Sequence, residues 1–247
     1  ISMKRASRGF TIIEVMLFLA VTGVLAAGIL ASVGSTLGLQ RYRDAVDGFS
    51  SYIQGQYGQT INVRNDIDDH RECAADGTFS IAHSAPPGTS ETCVIVGRLV
   101  TTANGQTFQS QPIYMSGVTN TFLKSGVGDD VVFTTDTAAN RRLFIDSSAQ
   151  AQTYQLDWGV RTQPPATGDN AWAIAIVRSP ISGVIHTYAM RRASVMLDQL
   201  VVEGNRRNDS VICIDPSGWL AGQTLGVAIA ADAPGASGVV TRTEGCN

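Results

Sequence analysis

An apolar stretch from Phe10 to Val33 runs for 24 residues with one charge inside it, Glu14, and follows directly on Lys4, Arg5, Arg8 and Gly9. Wound as a helix, it extends about 36 Å, against a hydrocarbon core about 30 Å thick. That is long enough to span a bilayer. A carboxylate inside such a span is costly, about 2.5–3.5 kcal/mol for Asp at a helix centre, and a group that costly calls for a partner. A free α-amine, made by cutting the chain between Gly9 and Phe10, supplies one.

Taken together, the cations at positions 4, 5 and 8, the Gly9–Phe10 junction, Glu14 at the fifth place after it and the apolar span form a specific pattern. It resembles the class III leader and N-terminal helix of type IV prepilins and type II secretion pseudopilins, over residues 4–35. The resemblance implies cleavage between Gly9 and Phe10 by a prepilin peptidase, which is also the N-methyltransferase of Phe10. It implies assembly with other pilin subunits through the N-terminal helix and Glu14, on an inner-membrane assembly platform. Many pilins carry a proline in this helix; here there is none, and Gly23, Gly28 and Gly34 are the candidate points of loosening. A secretory signal or plain anchor is the competing reading. Its apolar core would be about 7–15 residues with a small-residue cut behind it, which Ala26, Ala27 and Ala31 offer. Met3 is a candidate start residue.

The expected domains are a leader over 1–9, a transmembrane or filament-core helix over 10–37, and a globular head over 38–247 that includes an amphipathic continuation of the helix. Removing the leader takes away three of 18 basic residues and none of 21 acids, so the net charge moves from −3 to −6. Phosphate affinity rests on Lys and Arg, so an acidic body disfavours nucleic acid as a partner. The pairs Arg141-Arg142, Arg191-Arg192 and Arg206-Arg207, with Arg41 and Arg43, are read as surface ion-pair formers. Lys4, Arg5 and Arg8 place the N-terminus in the cytoplasm; Arg41 and Arg43 count against that, but are fewer. The expected location is the cytoplasmic membrane before assembly and the cell-surface filament after it.

Beyond the span, Leu39, Tyr42, Val46, Phe49 and Ile53 recur at spacings of three and four, an amphipathic stripe carrying the helix to about Gly58. Short β-type runs follow. Cys93–Thr102 and Gln106–Tyr114 flank Asn104-Gly105, a hairpin signal. Asp130–Thr135 with Arg142–Asp146, and Ala171–Arg178 with Ile181–Met190, read as further pairs. Tyr154–Val160, Val211–Ile214, Thr224–Ala231 and Gly238–Thr243 are further strand candidates, and Arg192–Glu203 a short helix. The stretch from Val211 to Trp219 faintly resembles the C-terminal part of minor pilins and pseudopilins. The fold class is α+β: a long N-terminal membrane-spanning helix, then a mainly antiparallel sheet.

No catalytic constellation stands out. His70, His83 and His186 are scattered, and no Gly-x-Ser-x-Gly elbow occurs. The acidic run from Asn65 to Glu72 lacks EF-hand spacing. No enzyme activity, metal or cofactor is expected, although a membrane-tethered binding or enzymatic domain is the alternative function. Four cysteines allow three pairings; Cys73–Cys93 and Cys213–Cys246 are favoured as nearest in sequence. A head large for a shaft subunit favours a minor one.

Overall fold

The computed structural model describes residues 11–62, 71–73, 79–81, 93–116, 143–146, 150–163, 171–179, 182–191, 197–201, 205, 210–216, 224–230, 233–243 and 245–246. The chain divides into two compact units, Ile1–Arg41 and Tyr42–Asn247. Helix α1 (Ile12–Ile61) begins in the first unit and ends in the second. Antiparallel strands follow, giving an α+β arrangement with one long N-terminal helix.

In the first unit, the helix carries large apolar side chains on every side, and all of them are exposed from Ile12 to Leu37. The hydroxyls of Thr22 and Thr36 are satisfied internally. Thr22 donates to the carbonyls of Phe18 (2.8 Å) and Leu19 (3.1 Å), and Thr36 donates to that of Ser32 (3.0 Å). An apolar helix whose polar atoms turn inward needs no water around it. It is long and apolar enough to cross a membrane.

In the second unit, the helix keeps one apolar face. Tyr42, Val46, Phe49 and Ile53 of the expected stripe are buried, and Ala45 and Tyr57 extend it; Leu39 belongs to the first unit. Arg43, Asp44 and Asp47 are exposed. Burying a side chain the size of Phe49 or Ile53 contributes about 1.5–3 kcal/mol.

Two sheets receive that face. The larger is β5 (Leu143–Ile145), β4 (Thr107–Ser116), β3 (Cys93–Thr102), β8 (Trp172–Arg178) and β9 (Ile185–Met190), with β6 (Gln152–Gln155) pairing the free half of β4 beside β5. The smaller runs β12 (Val239–Arg242), β11 (Leu225–Ile229), β10 (Ser210–Asp215) and β7 (Arg161–Gln163). A separate two-stranded ladder joins β1 (Arg71–Cys73) to β2 (Phe79–Ile81). The main core unites the helix stripe with Val100, Phe108, Trp172 and Ile174 of the larger sheet and Ile212, Ile214, Val227 and Ile229 of the smaller. A second core on the far face of the larger sheet holds Leu99, Ile113, Ala175 and Tyr188 with Leu200 of a short helix, α2 (Leu197–Leu200).

Local turn chemistry explains the hairpins. Asn104 Oδ1 accepts from the amides of Gln106 (2.9 Å) and Thr107 (2.8 Å), and Gly105 takes φ 70°. Positive φ is the conformation that Asn-Gly tolerates best. Gly97 sits at a β-bulge, where a Cβ would overlap Ile176 O and Val177 Cα of β8.

One expectation is corrected. Tyr154–Val160 is not a single strand. β6 ends at Gln155, Asp157–Gly159 form a turn, and β7 restarts at Arg161 in the other sheet. Leu156 and Val160 are buried on either side of the turn, so the chain crosses between sheets there. β5 pairs with β4; its expected partner, Asp130–Thr135, lies outside the described residues.

Candidate processing and assembly site

Thr11 precedes the first helical residue. Its carbonyl accepts from the Val15 amide at 3.2 Å, and its hydroxyl accepts from the Glu14 amide at 3.3 Å. Thr11 is therefore the N-cap and Glu14 the third helical residue, the Thr-x-x-Glu order of a capping box. The acidic side chain sits in the first turn, where the helix dipole favours it. Glu14 is exposed, and so are the apolar residues around it, Ile12 and Ile13 among them. A carboxylate displayed on an apolar surface is free to meet a cationic partner from outside its own helix. The sequence signal of this cap is the Thr-x-x-Glu order of Thr11 and Glu14. Gly9 and Phe10 lie outside the described residues.

Further along the same unit, Gly23, Gly28 and Gly34 leave open notches, with nothing within 4 Å of a Cβ added at any of them. Notches of this kind let a second helix approach closely.

In the second unit, a polar tie anchors the helix to the sheet. Gln56 is buried on α1, and its Oε1 accepts from Ser110 Oγ of β4 (2.5 Å) and from Arg98 Nε of β3 (3.3 Å). Arg98 also donates to Ser110 Oγ and Gln152 Oε1, each at 2.9 Å. Burial pushes the Arg98 pKa down from its usual value, with Tyr52 and Tyr114 acting the other way. Tyr57 hydrogen-bonds Thr187 across 2.6 Å, and burial raises its pKa to about 12. Tyr42 donates to Ile214 O (2.7 Å) and accepts from the Leu225 amide (2.6 Å), joining the helix to β10 and β11. Arg178 donates to the Ile61 carbonyl (3.1 Å) and caps the end of α1.

Cys213 on β10 and Cys246 beyond β12 are bonded, with Cα atoms 5.4 Å apart. Gly226 lies opposite Cys213 in the ladder, and a Cβ there would overlap the Cys246 sulfur. The side chains of Cys73 and Cys93 lie outside the described residues, as do residues 63–70 of the acidic run and Arg141, Arg142, Arg192, Arg206 and Arg207. Arg41, Arg43 and Arg191 are exposed, and His186 is buried on β9. No cluster of three or more metal-ligating side chains occurs among the described residues.

These features define a class: an α+β protein with an N-terminal helix long and apolar enough to cross a membrane, which presents an acid near its start. Within that class, the family model of the prokaryotic N-terminal methylation motif matches residues 4–30. That stretch is a type IV prepilin-like class III leader with the beginning of its helix, and it marks a pilin- or pseudopilin-like precursor. The motif implies processing by prepilin peptidase and assembly with other pilins. No curated protein and no solved structure matches the chain.

Proposed function

We propose that this protein is a structural subunit of a type IV pilus or a type II secretion-like filament, in a minor position. The observation that carries the reading is the methylation motif running into a spanning helix whose first turn exposes Glu14. Residues 1–9 act as the leader, 10–37 as the membrane and filament-core helix, and 38–247 as the head. The leader stays cytoplasmic under the pull of Lys4, Arg5 and Arg8. Prepilin peptidase cuts between Gly9 and Phe10 and methylates the new Phe10 amine. Assembly on the inner-membrane platform then brings the Phe10 amine of an incoming subunit to the Glu14 carboxylate of a neighbour. Each charge is costly alone in a low-dielectric core and much less so when paired. The pair sets axial register.

Gly9→Val tests the first step, because a branched side chain at the cut crowds a peptidase working at the membrane face. Intact-mass analysis of the membrane fraction should show the wild type nine residues shorter and the variant full length. A variant that still loses those nine residues, or a wild type that never does, overturns the reading.

A further inference from the structure

Among the cations described in the head, Arg43, Arg161, Arg178, Arg191 and Arg242 are exposed, whereas Arg98 is half-buried. Its Nε donates to Gln56 Oε1 (3.3 Å), and its Nη2 to Ser110 Oγ and Gln152 Oε1 (each 2.9 Å). Those bonds leave both N–H groups of Nη1 over, and no carboxylate pairs with Arg98 among the described residues. A desolvated cation without a counter-charge is costly. The neighbours of Arg98 add donors rather than acceptors. Arg98 can only donate, so Gln56 and Gln152 turn their amide oxygens to it and leave their Nε2 groups over. Ser110 Oγ accepts from Arg98 and donates to Gln56. Tyr52 Oη is buried against Ser110 without a well-formed hydrogen bond. What this cluster lacks is an acceptor that carries negative charge. Gln152 is exposed, so the cluster reaches solvent at β6.

β6 is also an open edge of the larger sheet, since it pairs with β4 alone. The Leu156 amide donates to Gln106 O, and the register continues from there with Tyr154 opposite Phe108 and Gln152 opposite Ser110. In an antiparallel ladder, alternate pairs exchange their hydrogen bonds. Gln152 and Tyr154 therefore bond inward to β4, and the amides and carbonyls of Thr153 and Gln155 point out of the sheet. Gln152, Thr153 and Gln155 are exposed. Edges that stay unpaired are usually guarded by a charge, a proline or a bulge. Gln152–Gln155 has no charge and no proline, and its register with β4 is unbroken. Tyr154 stacks on Tyr52 of α1, with ring centroids 4.3 Å apart, which holds this edge against the helix.

We propose that the β6 edge takes up an extended segment of a partner protein, and that an acidic side chain of that segment meets Arg98. The added strand would hydrogen-bond the outward groups of Thr153 and Gln155, the mode by which sheet edges take up peptides. Side chains opposite each other across two strands lie on the same face. A Glu or Asp opposite Gln152 therefore lies on the α1 side of the sheet, beside the donors of Gln152 and Arg98. A carboxylate suits the two free N–H groups of Nη1, because a charge-assisted bond to guanidinium is stronger than a neutral one. The two observations are independent: the open edge calls for backbone, and the donor cluster calls for an acid. The site goes beyond the filament reading and does not rest on it.

The test uses the full-length protein in detergent. The probes are two immobilised sets of short peptides of alternating Thr and Val, capped at both ends, with one Glu or one Gln at each position in turn. The best Glu peptide should be retained about tenfold more tightly than its Gln counterpart. Thr153→Pro removes an outward amide and leaves the ladder to β4 intact. It should weaken retention about tenfold and leave Tm within about 2 °C of wild type. Arg98→Lys keeps the charge but loses the fork, and should cut the preference for Glu to about threefold. Val240→Ala, on the other sheet, should change nothing. Equal retention of the two sets overturns the proposal, as does retention of neither. So does a Thr153→Pro variant that binds like wild type, or an Arg98→Lys variant that keeps the full preference. Self-association of the protein alone, abolished by Thr153→Pro, would make the edge a contact between copies, and also overturns it.

Discussion

The Glu14 amide donates to the Thr11 hydroxyl across 3.3 Å, so the residue that carries the only charge of the span also takes part in capping its helix. Thr11→Val removes the acceptor while keeping the shape. Losing an N-cap oxygen costs about 1 kcal/mol. Hydrogen–deuterium exchange of the full-length protein in detergent should show faster exchange at the Glu14 amide in the variant. Unchanged protection there would mean that the cap does not hold the first turn.

Glu14→Val should leave the protein inserted, since removing a carboxylate from an apolar span lowers the insertion cost. The gain is less than the cost of a charge at a helix centre, about 2.5–3.5 kcal/mol, because Glu14 lies in the first turn. Cleavage should also continue. Entry into filaments should fall, because the incoming amine then lacks its counter-charge. Immunoblots of sheared filaments against the membrane fraction read both quantities, and equal incorporation would reject the pairing role.

The Cys213–Cys246 bridge closes a loop with a sequence separation of 33. In the chain-entropy model, such a loop contributes about 3–4 kcal/mol. Full reduction in a non-thiol reductant should therefore lower Tm by about 10 °C, and Cys246→Ser should lose most of that sensitivity. A Tm indifferent to Cys246→Ser would show that the bridge does not hold β12 to the head.

Tyr57 is fully buried, and its pKa is raised from 10.0 to about 12, chiefly by burial. The folded state thus holds the phenol proton more tightly than the unfolded chain does. The associated stability is complete below about pH 10, and is lost as the pH rises from there through about 12. A shift of this size corresponds to about 2–3 kcal/mol. Tyr57→Phe should flatten the fall in stability over that window. It should also cost about 1 kcal/mol at neutral pH, by leaving the buried Thr187 hydroxyl without this partner. Urea titrations at pH 8 and pH 11 decide it: an equal alkaline loss in both proteins would remove Tyr57 from the account.

Gly97→Ala should destabilise the head strongly, by about 2 kcal/mol or more, because the atoms its Cβ would meet are backbone and cannot rotate away. Thermal unfolding by near-UV circular dichroism reads the loss. A Tm within 1–2 °C of wild type, less than about 1 kcal/mol for a chain this size, would mean that the bulge accommodates the methyl.

The sequence alone determined what depends on neighbours along the chain. The apolar run specifies a helix long and apolar enough to span a membrane, and the spacing of Tyr42, Val46, Phe49 and Ile53 specifies the face on which its continuation is buried. Asn104-Gly105 specifies a turn because only a few residues accept positive φ. Only the tertiary structure decided what depends on residues far apart. Cys213 bonds Cys246, the pair favoured as nearest in sequence; what the tertiary structure adds is the reason, since β10, β11 and β12 lie in one ladder and Gly226 leaves room. Gln56, Arg98, Ser110 and Gln152 form one network although they come from four separate elements. The stretch from Tyr154 to Val160 has the composition of a single strand. It is broken because β4 claims its first half and β10 leads the second into another sheet, and the left-handed turn at Trp158 is what two competing long-range pairings impose on a local preference for extended chain.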